Sequence, residues 1–534
     1  MWRKGYLWGF LLIILLLLGV KQSTIQAEAA DQRPVMLVYD SKNIAEHGDL
    51  DLDCCQRLLT SLGLPVKTVQ LSQYHAHLLE TSHCQGVITM VNWAQVNSRN
   101  QAFERDRARF TGVKLHIGSG LQTDERKSLG GHFKTLVHQQ LKVHQGQANQ
   151  LLSTNKTLLV NDKRAGNAMS VGWLTNQNMP AESYSYGVKV GNAGFLPEIG
   201  TDGVSINLAG QLIAKLFKLD RQPQLPLLTI TGVTPYTKMN HLKHLIDCLS
   251  SQGYPFALSI VSVESNTDLA AFHRYTKILR YAEKSGGVIF LSPSTETGTQ
   301  RLNEAQLRSV FQTELASLGA DRVLPIGVSA PGYWNRSQRR QAAVLSPASH
   351  VLLRPDTHLK LEEKPVEAEP VVTNSQVFPT SIVGIPFDAF ETATYQNKIQ
   401  FFQSTALLVK MPADTTEINR LMQRLQGSKL RWFDPVRDQL ETSLKIGTVS
   451  YEYQAGQYLV NHQVVFDLDA DIENFATDAK PAESDSWMNR VIQWQSHALL
   501  WLFAGIGLVL TGLLVLGWRI YRRKFIRNSG QKKG

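Results

Sequence analysis

Residues 225–236, LPLLTITGVTPY, constrain the chain more than any other stretch. This apolar run with β-branched residues ends at Gly232 and Pro235, which predicts a buried strand opening into a loop. An amphipathic pattern follows over 240–252, with Leu242, Leu245, Ile246 and Leu249 on one face and Gly253 as its stop. A second apolar strand is predicted at 254–261. Strand, loop, helix and strand make a βαβ unit, whose chemistry normally sits where the strand's C-terminal end meets the loop. Here that place holds Thr231, Gly232, Val233 and Thr234, and no carboxylate.

At 534 residues the chain is long enough for two or three domains. Residues 1–29 have the parts of a secretory signal: Arg3 and Lys4, an apolar run over 11–20, and Ala27-Glu28-Ala29 as a small-x-small cleavage site. An uncleaved N-terminal anchor is the alternative. Residues 497–518 hold no Asp, Glu, Lys or Arg and predict a C-terminal transmembrane helix. Trp494, Trp501 and Trp518 lie near its ends, and the basic segment 519–534 follows. The expected topology is therefore a single span in the cell membrane, with the basic tail inside and the bulk of the chain extracytoplasmic. The acidic stretch at 467–496 reads as a juxtamembrane stalk.

The net charge of +10 invites a nucleic-acid partner. Seven Lys/Arg lie after Trp518 and three, with one Glu, lie in 1–29, so the chain between them is almost neutral. The basic excess is a topology signal and not a polyanion-binding surface, and no nucleic-acid partner is expected. Cys54, Cys55, Cys84 and Cys248 are too few for a disulfide scaffold; one bridge to Cys84 and buried free thiols both stay open.

Taken in order, strands are expected at the PVMLVYDS segment from Pro34 and at 64–71, 86–91 and 113–117, with a helix at 49–62. This alternation argues an N-terminal α/β domain over 30–220, a parallel sheet of flavodoxin or amidotransferase type. Asp49, Asp51 and Asp53 resemble a metal cluster, but acids at a helix start favour the dipole and read as solubilising residues. Gly118-Ser119-Gly120 reads as an ordinary loop. A β-rich extension follows, with strands at 157–160, 170–174 and 184–190, then a helix at 205–217. A second domain is expected over 225–466, with helices at 267–284, 303–318 and 415–426 and strands at 288–291, 323–328 and 430–433. Residues 359–372 read as an exposed insertion. Residues 448–466 read as a hairpin turning at Ala455-Gly456.

Four places give residues 225–440 a resemblance to the polysaccharide deacetylase (NodB-homology) superfamily, and in particular to its membrane-anchored YdaL-like branch. They are Val233-Thr234-Pro235, Gly253-Tyr254-Pro255-Phe256, Gly286-Gly287-Val288-Ile289-Phe290-Leu291, and Ala330-Pro331-Gly332-Tyr333. A late segment at 407–412 matches loosely, without a histidine. The resemblance implies a distorted (β/α) barrel and metal-assisted amide hydrolysis, in which an Asp and two His hold a divalent ion and a further Asp acts as base. Thr231 and Gly232 stand where the aspartates would be. Ser292 and Glu296 stand where the histidines would be, and Lys410 or Met411 is nearest the late histidine. Such a set is unsuited to a catalytic ion, so neither a catalytic residue nor a metal or other cofactor is expected. His241, His244 and Asp247 on the following helix read as solvated, and Glu296 lacks a partner as a lone acid or base. Tyr236, Tyr333 and Trp334 suit either stacking on sugar faces or core packing.

The fold expected is thus α/β: the N-terminal parallel sheet, the deacetylase-type barrel and one transmembrane helix. The function expected is that of a non-catalytic, membrane-anchored accessory protein that binds or guides a cell-envelope or secreted polysaccharide. The resemblance implies exopolysaccharide production. The candidate glycan-contacting mouth is Thr231, Tyr236, Ser292, Glu296, Tyr333 and Trp334. The partners expected are the polysaccharide or membrane machinery of polysaccharide synthesis, with a purely structural role beside a synthase as a further possibility. The alternative is a deacetylase or other glycan hydrolase with a rebuilt site.

Overall fold

The computed structural model describes residues 33–43, 47–93, 99–152, 157–163, 166–179, 181–201, 203–263, 266–294, 302–356, 371–390, 399–465 and 510–519. Met1–Ala470 forms one compact unit and Asp471–Gly534 a second.

In the first unit, five parallel strands form the start of a large sheet: β1 (Val35–Tyr39), β2 (Val66–Gln70), β3 (Gly86–Val91), β4 (Val113–Gly118) and β5 (Ala193–Leu196). Their order, 2-1-3-4-5, is the flavodoxin-like one. Beyond β5 the sheet runs antiparallel through Ser183–Val190, Met169–Asn176 and Leu141–Gln145. Among the helices of this sheet are α1 (Gly48–Ser61) after β1 and α2 (Gly203–Leu216) after β5.

The chain then closes a seven-stranded parallel barrel from β6 (Leu227–Val233), β7 (Ala257–Val261), β8 (Val288–Ser292), β9 (Gly327–Pro331), β10 (His350–Arg354), β11 (Thr380–Pro386) and β12 (Thr405–Lys410). Outer helices follow the early strands: α3 (Met239–Ser251), α4 (Ala270–Lys284) and α5 (Glu304–Ala320), with α6 (Thr415–Ser428) after β12. The apolar stripe read from the sequence is the buried face of α3, and Leu242, Leu245, Ile246 and Leu249 are each fully covered. The Gly-Tyr-Pro-Phe and Gly-Gly motifs meet here. A Cβ on Gly287 would sit 2.4 Å from the ring of Phe256, so only glycine lets these two strand entries pack. An antiparallel sheet, Glu441–Ile446, Val449–Gln454, Gln457–Val460 and Gln463–Val464, lies at the N-terminal end of the barrel strands. There Ser349 N donates to Ser443 O (2.8 Å), and Tyr458 OH donates to Gly287 O (3.3 Å). Its hairpin turns at Ala455 (φ 46°) and Gly456 (φ 100°), the left-handed pair that a two-residue turn requires.

The later part of the barrel departs from regular β/α alternation. Among the described residues no helix joins β10 to β11. Instead Val372–Ser375 pairs antiparallel with β2 at the edge of the first sheet. In turn α1 packs beside β11, where Arg57 Nη1 donates to Gly384 O (2.8 Å). Helix α2 meets the segment entering β12, with Asn207 Nδ2 donating to Gln400 O (2.7 Å). Helices of the first sheet thus cover the barrel flank that lacks helices of its own.

Several expectations are corrected. The expected C-terminal transmembrane helix over 497–518, and the single-pass membrane location resting on it, are overturned: no helix among the described residues is long and apolar enough to cross a membrane. The described helix at 510–519 rises about 15 Å, half of a bilayer's hydrocarbon core. Hydropathy registers side-chain polarity, whereas a span also requires an unbroken helix of about 20 residues. The expected signal (1–29), the stalk (467–496), residues 497–509 of the expected span and residues 520–534 of the basic tail lie outside the described residues. The predicted strand at 430–433 is irregular backbone. Trp432 is buried there and Phe433 N donates to Pro226 O (2.9 Å), so apolar burial mimicked a strand without a ladder. Of the expected insertion, 359–370 lie outside the described residues and Val372 begins a strand. The four cysteines are free thiols.

Candidate functional site: the C-terminal mouth of the barrel

The C-terminal ends of β6 to β12 form the end of a parallel barrel where chemistry is carried. On β6 the pairing with β7 slips between Ile230 and Val233, so Thr231 and Gly232 bulge at the rim. Gly232 has φ 78°, which suits glycine, and a Cβ there would meet only Lys410 Cγ, at 3.9 Å. Thr231 Oγ1 donates to Val409 O at 3.3 Å and is half-buried. Tyr236 stands in the loop beyond, 91% exposed.

Ser292 ends β8, fully buried, and its Oγ accepts from Arg354 Nη2 at 2.8 Å. Arg354 ends β10, so its side chain reaches across β9 to make that bond. Arg354 Nε is buried without a hydrogen-bond partner among the described residues. Burial pulls this guanidinium below its ordinary value, against the opposing influence of Tyr333 and Asp356. Deeper in the barrel, Ser259 Oγ donates to Ser329 Oγ (2.8 Å), again across one strand.

A charged cluster closes the rim beside β9 and β10. Asp356 Oδ2 accepts from Arg336 Nη2 (2.6 Å), and its Oδ1 accepts from Tyr333 N (2.9 Å). From α1, Asp53 Oδ2 accepts from Arg57 Nε (2.7 Å) and from Asp356 N (3.3 Å). Gln56 Oε1 accepts from Arg336 Nη1 (2.9 Å). Burial first, and then Asp53, raise Asp356 to about 6, while Arg336 and Arg57 oppose. Burial would lower Arg57, but Asp53 outweighs it and the net shift is upward.

Trp334 is 1% exposed, a core residue under Arg340, whose guanidinium lies 5.4 Å from its ring and 4.9 Å from that of Tyr333. Tyr333 is half-buried at the rim. Glu296 lies outside the described residues. His241, His244 and Asp247 do not converge: His241 Nδ1 pairs with Ala413 O (2.8 Å), while Asp247 is held by Lys243 (2.8 Å) and Tyr281. No group of three or more His, Cys, Asp or Glu among the described residues is placed to hold a metal ion. Thr231 and Ser292 already spend their hydroxyls on Val409 O and on Arg354, and Gly232 supplies no donor. The described residues therefore do not fit the divalent ion that the resemblance implies.

Sequence reasoning missed Arg354, Asp356, Arg336 and the Asp53–Arg57 pair. Two signals were available: an Asp and an Arg four residues apart on one helix, and an arginine ending the buried run Val351-Leu352-Leu353.

The fold and site define an α/β protein with a closed parallel barrel and a polar, cation-bearing mouth. No family model matches the sequence, and no curated protein does. Among solved structures, a family 4 carbohydrate esterase from Streptomyces lividans in complex with acetate matches at 11% identity, over 40% of this chain and 93% of that one, with a TM-score of 0.25. A family 4 carbohydrate esterase from Bacillus anthracis matches at 12% identity, over 40% and 81% of the two chains, with a TM-score of 0.21. Likeness at this level does not bear on activity.

Proposed function

We propose that this protein binds a polysaccharide at the barrel mouth without hydrolysing it, in an accessory role in polysaccharide production. The observation that carries this reading is the make-up of the mouth. The end of the barrel that normally holds chemistry offers hydroxyls, an exposed tyrosine and cations, with no carboxylate–imidazole set among its described residues. Tyr236 provides an exposed ring for stacking on a sugar, while Tyr333, half-buried at the rim, already carries Arg340 over its ring.

Affinity electrophoresis of the full chain through gels carrying a panel of neutral and acidic polysaccharides tests the proposal. At least one polymer is expected to retard the protein. Tyr236→Ala is expected to weaken that retardation about fivefold, the loss of roughly 1 kcal/mol of stacking, with no change in melting temperature. Migration unaffected by every polymer, or metal-dependent release of acetate from an acetylated glycan, would overturn it.

A further inference from the structure

The mouth carries two positive charges that no described carboxylate pairs with directly. Arg354 is held by a neutral partner, Ser292 Oγ, and its buried Nε faces no acceptor among the described residues. The nearest acids are committed elsewhere. Asp356 has one oxygen on Arg336 and the other on Tyr333 N, and Asp53 is paired with Arg57. Lys410 ends β12, exposed, with no ion-pair partner among the described residues, and its Cγ lies alongside Gly232. Lys410 and Arg354 sit on strands separated only by β11, which carries no charged residue; Asp388, just beyond it, is paired with Arg424. A buried guanidinium without a carboxylate is costly, and it retains a fork of donors that matches a carboxylate. Where the resemblance implies a carboxylate-held cation, this chain places side-chain cations instead.

We infer that the mouth is an anion subsite, in which Arg354 and Lys410 receive the carboxylate of an acidic polysaccharide such as a uronate polymer. The inference rests on the polysaccharide reading above and narrows it. Thr231 and Tyr236 then flank the sugar that bears the carboxylate, and its charge offsets that of the Arg354 guanidinium.

The test uses the full chain, titrated with polygalacturonate and with its methyl ester, which has the same backbone without the charge. Polygalacturonate is expected to bind at least tenfold more tightly than the ester. Because the whole chain is basic, any polyanion attracts it to some degree, so the variants decide. Lys410→Gln, an exposed change that leaves the core intact, is expected to lower affinity for the acid about fivefold and leave the ester unchanged. Arg354→Gln is expected to lower it further. Equal binding of acid and ester overturns the anion subsite and leaves polysaccharide binding standing. An acid preference that survives both substitutions also overturns it, since the charge is then read elsewhere. Failure to bind any polymer of the wider panel overturns the polysaccharide reading, and the subsite with it.

Discussion

Asp53 shows how far tertiary context shifts the meaning of one residue. In the sequence it is the last of three acids at a helix start, and acids there usually face water. In the fold it is 2% exposed and paired with Arg57 between α1 and the barrel rim. Removing one partner of such a buried pair costs about 3–5 kcal/mol, because the other charge is stranded. Asp356, its neighbour, gives a pH signature. An ordinary aspartate titrates near 3.8, whereas folded Asp356 titrates at about 6. The folded state therefore holds the extra proton between those values. This contribution to stability is fully present below about pH 4 and is lost as pH rises through 6. His350, drawn down to about 4 by burial, acts in the opposite sense: its contribution is present above 6.5 and is lost as pH falls toward 4. The two windows overlap, so a variant is needed to separate them. Between pH 4.5 and pH 7 the stability of Asp356→Asn, read from urea midpoints, is expected to rise more, or fall less, than the parent's by an amount equivalent to roughly 1–3 kcal/mol. Identical slopes would show that Asp356 does not titrate in that range.

At the scale of elements, α1 joins sheet to barrel, and its packing leaves no slack at Gly332. A Cβ on that residue would lie 2.1 Å from Asp53 Oδ1 and 3.0 Å from Arg57 Cδ. Since Asp53 and Arg57 are locked to each other, neither can yield cheaply. Gly332→Ala is expected to destabilise the protein by roughly 1–3 kcal/mol, read as a lower melting temperature, and an unchanged temperature would argue against the close packing of α1. The early barrel elements were legible because their strands carry apolar runs and α3 and α4 each carry a 3.6-residue stripe with a glycine stop. β10, β11 and β12 were not read as strands. Among the described residues no amphipathic helix joins β10 to β11 or β11 to β12, and helices from another part of the chain pack beside them.

Across the whole molecule, the strand Val372–Ser375 and the cluster of Asp53, Arg57, Arg336 and Asp356 connect the first sheet with the barrel. Both parts lie in one compact unit. A single unfolding transition is therefore expected, in which calorimetry and tryptophan emission, dominated by buried groups such as Trp334, give coincident midpoints. Two separated transitions would show that the sheet and barrel fold independently. By itself the sequence determined the α/β class, the parallel strands from β1 to β4 and the βαβ start of the barrel, because periodicity and glycine stops act over a few residues. It also placed Thr231, Gly232 and Ser292 at strand ends, since a strand's end is marked locally. Tertiary structure alone decided that α1 is buried, that β2 gains a partner from three hundred residues downstream, and that Arg354 crosses the mouth to Ser292. It also overturned the membrane span expected from hydropathy. These outcomes depend on which distant surfaces meet and which charges lose their water, and no local pattern of side chains records either.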